Sequence, residues 1–264
     1  MALPQSARER YDQNYMHPLT SLICGANTRG GAIGQILAHL SDNLNRIIDR
    51  SFKLCATADA IDTALFGPVL GRSILEVSLT AVCGRIDPYR VLAIRKSQLA
   101  PEFDVATRNL LAFNWSTDVT GEEKPKDWSQ KPHVRDLQRA LLSRHCHDLI
   151  WSEAFTRLLD NVPSDRGLNW MTRLRTFEPD EFTARMRADA DRLFSELSKG
   201  VHHEFVIPLT NQYDKETVAD LLARCWEFAA TIGLTACYSP VIDDSPTPHV
   251  LDCYEKAQRD LGLT

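Results

Sequence analysis

In the run Ser195-Glu196-Leu197-Ser198-Lys199-Gly200-Val201-His202-His203-Glu204, two histidines and a glutamate, His202, His203 and Glu204, follow a predicted helix end. Carbonyls at such an end carry partial negative charge, so a protonated imidazole is favoured there. His202 would then act as a general acid or hold a phosphate. Alternatively, His202 or His203 bonds the last carbonyls and closes the helix. Neighbouring histidines point in different directions, so they do not easily share one metal. Ile207 occupies the place where an HExxH pattern would need its second histidine.

A second cluster is Arg144-His145-Cys146-His147. A zinc site here would need further ligands, and no Cys/His spacing elsewhere supplies them. His145 falls on an apolar stripe with Leu141, Leu142 and Leu149, which suits a core histidine as well as an acid–base group. The third candidate is Arg72 with Glu76, four residues apart on an otherwise apolar helix. Burying such a pair is costly unless both groups are hydrogen-bonded, so it either specifies packing or lines a polar cleft. The fourth is basic charge. Arg85, Arg90, Arg95 and Lys96 outweigh Asp87, and Arg135, Arg139 and Arg144 form a second strip. Arg90, Arg95, Lys96, Arg135, Arg139 and Arg144 are the candidates for phosphate contacts, although a solvated helix face has the same composition.

These groups must be positioned by helices. The chain has 264 residues, 44% of them hydrophobic and 25% charged, with a net charge of −5. That supports a full core and argues against global disorder or a dedicated nucleic-acid coat protein. Apolar steps of three and four recur from Ile33 to Cys55, and the stretch from Val69 to Val82 is apolar nearly all round, as a central helix would be. Gly67-Pro68 predicts either two pieces or one kinked helix there. Asp87-Pro88 opens a helix over Tyr89 to Leu99. Further helices are predicted over Asp104–Phe113, Val134–Leu159, Asp180–Lys199 and Glu216–Cys237, with a last short one from Thr247-Pro248 to near Leu261. Gly200 suits a left-handed cap, and Val201–Leu209 a short extended piece. The polar stretch 116–132 is the longest predicted loop and the expected disordered or mobile segment. The expected fold is all-α: an antiparallel helical bundle of seven to nine helices in a single domain, 1–264.

Seven scattered cysteines without a CxxC, and an N-terminus without an apolar core, point to reduced thiols in a cytoplasmic protein. No transmembrane run of about 20 apolar residues is expected. Walker A, GxGxxG, GxSxG and EF-hand patterns are absent, and neither a metal nor a cofactor is implied.

Gly71-Arg72-Ser73-Ile74-Leu75-Glu76, followed by Arg85-Ile86-Asp87-Pro88, together with Leu197-Ser198-Lys199-Gly200-Val201-His202, resembles HEPN-like helical bundles of bacterial proteins, including those near antiphage and toxin modules. In HEPN ribonucleases an Arg-x(4–6)-His motif steadies the phosphate and assists attack by the ribose 2′-hydroxyl. Arg139 to His145 and Arg10 to His17 have that spacing, with Ala140 where a polar residue usually follows the arginine. Arg108-Asn109 has the usual opening, but Phe113 stands at the histidine position. The resemblance implies either a non-catalytic bundle that binds a partner or a metal-independent ribonuclease. The first would be a homodimer or an accessory subunit of a defence system, with a protein or RNA partner. The second would use His202 or His145 with Arg72, Arg139 or Arg144. A small-molecule enzyme using Glu76 inside the bundle is the third reading.

Overall fold

The computed structural model describes residues 16–25, 30–99, 112–113, 128–129, 141–143, 146–202, 206–242 and 248–261. Among them the predicted all-α bundle is present: nine helices and a single extra turn. They are α1 (Pro18–Cys24), α2 (Gly31–Thr57), α3 (Ala60–Ile86), α4 (Pro88–Gln98), α5 (Ser152–Asn161), α6 (Leu168–Leu174), α7 (Pro179–His202), the turn α8 (Leu209–Gln212), α9 (Lys215–Cys237) and α10 (Pro248–Asp260). A π-helical turn, His147–Trp151, runs directly into α5.

α3 is the centre. It packs most extensively on α9 and α2, and then on α7. Asp59 starts it by accepting the Asp62 N–H at 2.8 Å. The break or kink predicted at Gly67-Pro68 resolves as one helix of 27 residues with Pro68 inside it. The proline forfeits one backbone hydrogen bond, but small residues on that face let neighbours approach closely. A β-carbon on Gly67 would fall within the contact shell of Val218 from α9, and one on Gly71 would meet Leu197 from α7 at 2.8 Å. α9 is apolar nearly all round over its second half, so the two most buried helices lie against each other. Asp214 caps α9, accepting the Thr217 N–H at 2.7 Å.

α3 is also the one helix among the described residues long and apolar enough to cross a membrane, with a mean hydropathy of 1.3. Half of that apolar window is buried against the rest of the protein.

Four local expectations are corrected. The helix predicted over 134–159 is broken at Leu142 and Ser143, and the π-turn follows. The buried Trp151 indole donates to the Leu141 carbonyl at 2.6 Å and so fills the gap from within. Phe113 does not close a helix: Ala112–Phe113 pairs antiparallel with Trp128–Ser129, while the rest of 104–111 and of the 116–132 loop lies outside the described residues. Gly200 is not a left-handed cap, because α7 continues through it to His202. It is small for a different reason: a β-carbon there would stand 2.5 Å from the Pro68 ring. Val201 is therefore helical rather than extended, and Leu209 begins the turn α8.

α1 was not foreseen. At seven residues it is too short to show a period; Pro18 at its first turn and the His17 side chain, accepting the Leu19 N–H at 3.1 Å, start it. His17 is buried against Phe52 and Trp226 and faces Asp260 at 3.5 Å. The histidine of the Arg10–His17 spacing is thus a cap inside the core. The seven cysteines are free thiols. Burial pushes Cys24 up to about 12 and raises Cys83 and Cys225 as well, so these behave as inert small hydrophobes.

Glu255 is one of the carboxylates that fasten the C-terminal helix, beside Asp252, which pairs with Arg166 at 2.7 Å. Glu255 accepts from Arg166 at 2.7 Å and from the Gly167 N–H at 2.8 Å, and Arg259 stands 3.0 Å away. Burial pushes its carboxyl up, but Arg166, the Gly167 N–H and Arg259 together outweigh that and hold it below the usual range. A carboxyl depressed on folding adds stability above its unfolded pKa, near 4.3, and loses it as pH falls through the folded value. In urea unfolding, Glu255→Gln should therefore be less stable than wild type at pH 7, and the gap should shrink as pH falls below the unfolded value and through the lower folded one. A gap independent of pH would assign the effect to packing instead.

Candidate functional site

Of the sequence-derived candidates, Arg72 and Glu76 are placed most fully. Arg72 Nε donates to Glu76 Oε1 at 3.1 Å, and its guanidinium lies 4.5 Å from the centroid of the Phe194 ring on α7. Both side chains are half-buried rather than sealed in the core. α7 runs antiparallel to α3: Phe194 lies by Arg72, Leu197 by Gly71 and Gly200 by Pro68. At about 1.5 Å per residue, the backbone of His202 then lies roughly 12 Å along α7 beyond Phe194, towards the start of α3. The ring beside Arg72 is Phe194, and His202 is carried to a different level. The side chain of His202 lies outside the described residues, as do Arg135, Arg139, Arg144 and His145. Next to that cluster, His147 Nδ1 lies 2.8 Å from Thr183 Oγ1.

The basic run on and before α4 is largely engaged with the protein. Arg85 is only 2% exposed and donates to the carbonyls of Leu22 and Ile23 at the end of α1. Arg90 pairs with Asp87 at 2.7 Å. Arg95 donates to the Ala32 carbonyl and the Gln35 amide oxygen, tying α4 to the start of α2. Lys96 is exposed.

Two features emerge that the residue-by-residue reading did not single out. The first is the outer face of α3. Ile61 is 61% exposed, Leu65 37%, Phe66 53% and Val69 45%. Steps of four and three place Arg72 and Glu76 on the same face, one turn further along. Val206 and Ile207, exposed, lie in the link to α8, which itself packs on α3. Contiguous apolar patches at the surfaces of folded chains are where partners commonly pack. The Arg72–Glu76 pair forms the polar end of that stripe.

The second is a cleft of about 410 Å³ between α6, α7 and α9. Arg173 bridges Glu227 at 3.0 Å and Asp189 at 3.2 Å. Arg224 holds Glu196 at 3.0 Å, and Arg192 stands 3.8 Å from Asp189. Beneath these charges lie Phe177, Met186, Leu193 and Phe228. Burial pushes the Glu227 carboxyl above its ordinary range, against the pull of Arg173. The signal was present in the sequence: Asp189, Arg192 and Glu196, and Asp220, Arg224 and Glu227, each recur at three- and four-residue steps. Such spacing also describes an ordinary solvated face, and only the packing of α7 on α9 turns the two rows towards each other.

Among the described residues no group of three or more His, Cys, Asp or Glu side chains is arranged to hold a metal. No protein-family model, curated protein or solved structure matches this chain.

Proposed function

We propose that this chain is a helical interaction protein that works as a two-fold dimer, with the outer face of α3 packed antiparallel against the same face of a second copy. One observation carries this reading: four large apolar side chains of the central helix face outward in a row. The ends of the row are also charge-complementary. Asp59 and Asp62 lie exposed at its start, and Arg72 lies near its other end. A two-fold axis near Gly67 would set Asp62 of each copy opposite Arg72 of the other and Leu65 opposite Val69. An isologous contact requires this self-complementarity. In that form the chain would serve as the accessory subunit that the HEPN-like resemblance implies.

Light scattering on a sizing column tests it. Wild type should elute with twice the mass of one chain. Phe66→Glu should elute as a monomer with an unchanged helical circular-dichroism spectrum, since Phe66 is exposed. A monomeric wild type, a Phe66→Glu variant that still dimerises, or wild type that partitions onto phosphatidylcholine vesicles through this face would overturn the proposal.

A further inference from the structure

The cleft between α6, α7 and α9 combines features that point to one kind of ligand. It holds three guanidinium groups and three carboxylates at its rim, over the edges of Phe177, Met186, Leu193 and Phe228, which are otherwise packed in the core. Its volume, about 410 Å³, lies in the range of small-molecule sites. The charges are balanced, which weighs against a polyanion, and desolvation of the rim weighs against a fatty chain. A nucleotide or other polyanion would meet Asp189, Glu196 and Glu227 as well as the arginines. A fatty chain would strip water from the rim groups without replacing their hydrogen bonds.

We infer that the cleft binds a free α-amino acid with an apolar side chain. The ligand ammonium would lie at Glu227 and Glu196, its carboxylate at Arg192 and Arg224, and its side chain on the aromatic and aliphatic floor. The geometry supports this assignment of ends. Arg192 is more than half exposed, and its contact to Asp189, at 3.8 Å, is the longest of the rim ion pairs named, so it can turn to an incoming carboxylate at little loss. Glu227 is set deeper than Arg192, and its half-buried carboxylate is held by a single bridging arginine shared with Asp189. A second cation there would stabilise its charged form. Both charges of the ligand would be met at the mouth, while the apolar part alone would enter the floor.

Titration calorimetry with L-leucine and L-phenylalanine tests the inference on the full chain. At least one should bind saturably. Two leucine analogues, 4-methylpentanoate without the amine and leucinamide without the carboxylate, should each bind at least about tenfold more weakly, the factor expected when one charge-assisted contact is lost. Arg192→Gln should weaken leucine binding by a similar factor with an unchanged thermal unfolding midpoint, because the side chain is exposed. Glu227→Gln should do the same while preserving the shape of the site. The inference is overturned if neither amino acid binds, if either analogue binds as well as its parent, or if both variants bind like wild type.

Discussion

Replacing Arg85 with methionine should destabilise the fold by about 4 kcal/mol, because it removes two hydrogen bonds from a cation, each worth roughly 1.5–3 kcal/mol. Arg85 lies in the last turn of α3, 2% exposed, and its Nη1 donates to Leu22 O at 3.0 Å and Ile23 O at 3.1 Å. Its Nη2 lies 3.5 Å from Cys237 Sγ at the end of α9. One planar fork therefore ties the C-terminal carbonyls of α1 to the two central helices. A cation also suits that position electrostatically, since a helix C-terminus carries partial negative charge. Methionine approximates the length and buries without charge, but it donates nothing to either carbonyl. Lysine keeps the charge as a point donor and loses the fork, so Arg85→Lys should fall between the two. Urea unfolding supplies the free energies. Hydrogen exchange adds a local readout: amides in 20–24 should lose protection in the methionine variant before those of α9. A loss below about 1 kcal/mol would mean that water or a neighbour satisfies the carbonyls instead.

How much of this was legible beforehand follows from distance along the chain. α3 was readable because its stretch from Val69 to Val82 is apolar nearly all round, and α9 because its apolar residues recur at steps of three and four from Val218; both are local properties of the chain. The start of α9 at Asp214 and of α4 at Pro88 were readable because a cap is a matter of a few adjacent residues. The π-turn before α5 was not, because the apolar steps through Leu141, Leu142 and Leu149 run on as if the helix did. At the break the Trp151 indole donates to the Leu141 carbonyl, a contact that spacing along the chain does not show. The Arg72–Glu76 pair was found from its spacing alone. Its neighbour Phe194, and the exposed apolar row it terminates, belong to the packing of α7 and to the side of α3 that nothing described covers. The charged cleft escaped notice because its members come from three helices. Each of its rows, taken singly, is what any soluble helix presents.

Gly67→Ala should lose about 2 kcal/mol, although alanine is ordinarily the better helix former by about 1 kcal/mol. The sign is the test. At an exposed helical position the substitution would stabilise. At Gly67 the added β-carbon falls within the contact shell of Val218 Cγ1, and Val218 is 1% exposed on α9. A β-branched side chain in a helix has essentially one rotamer, so Val218 cannot swing aside. α9 would have to move outward, yet its other faces pack on α1, α7 and α10. Relief should come from the partner position. Val218→Ala alone leaves a cavity and should cost stability, whereas Gly67→Ala with Val218→Ala should be more stable than the sum of the two losses, by at least about 1 kcal/mol. Additive losses would show that α3 and α9 are not held at this distance. A stabilising Gly67→Ala would show that the helix pair is looser than the contact at Val218 requires.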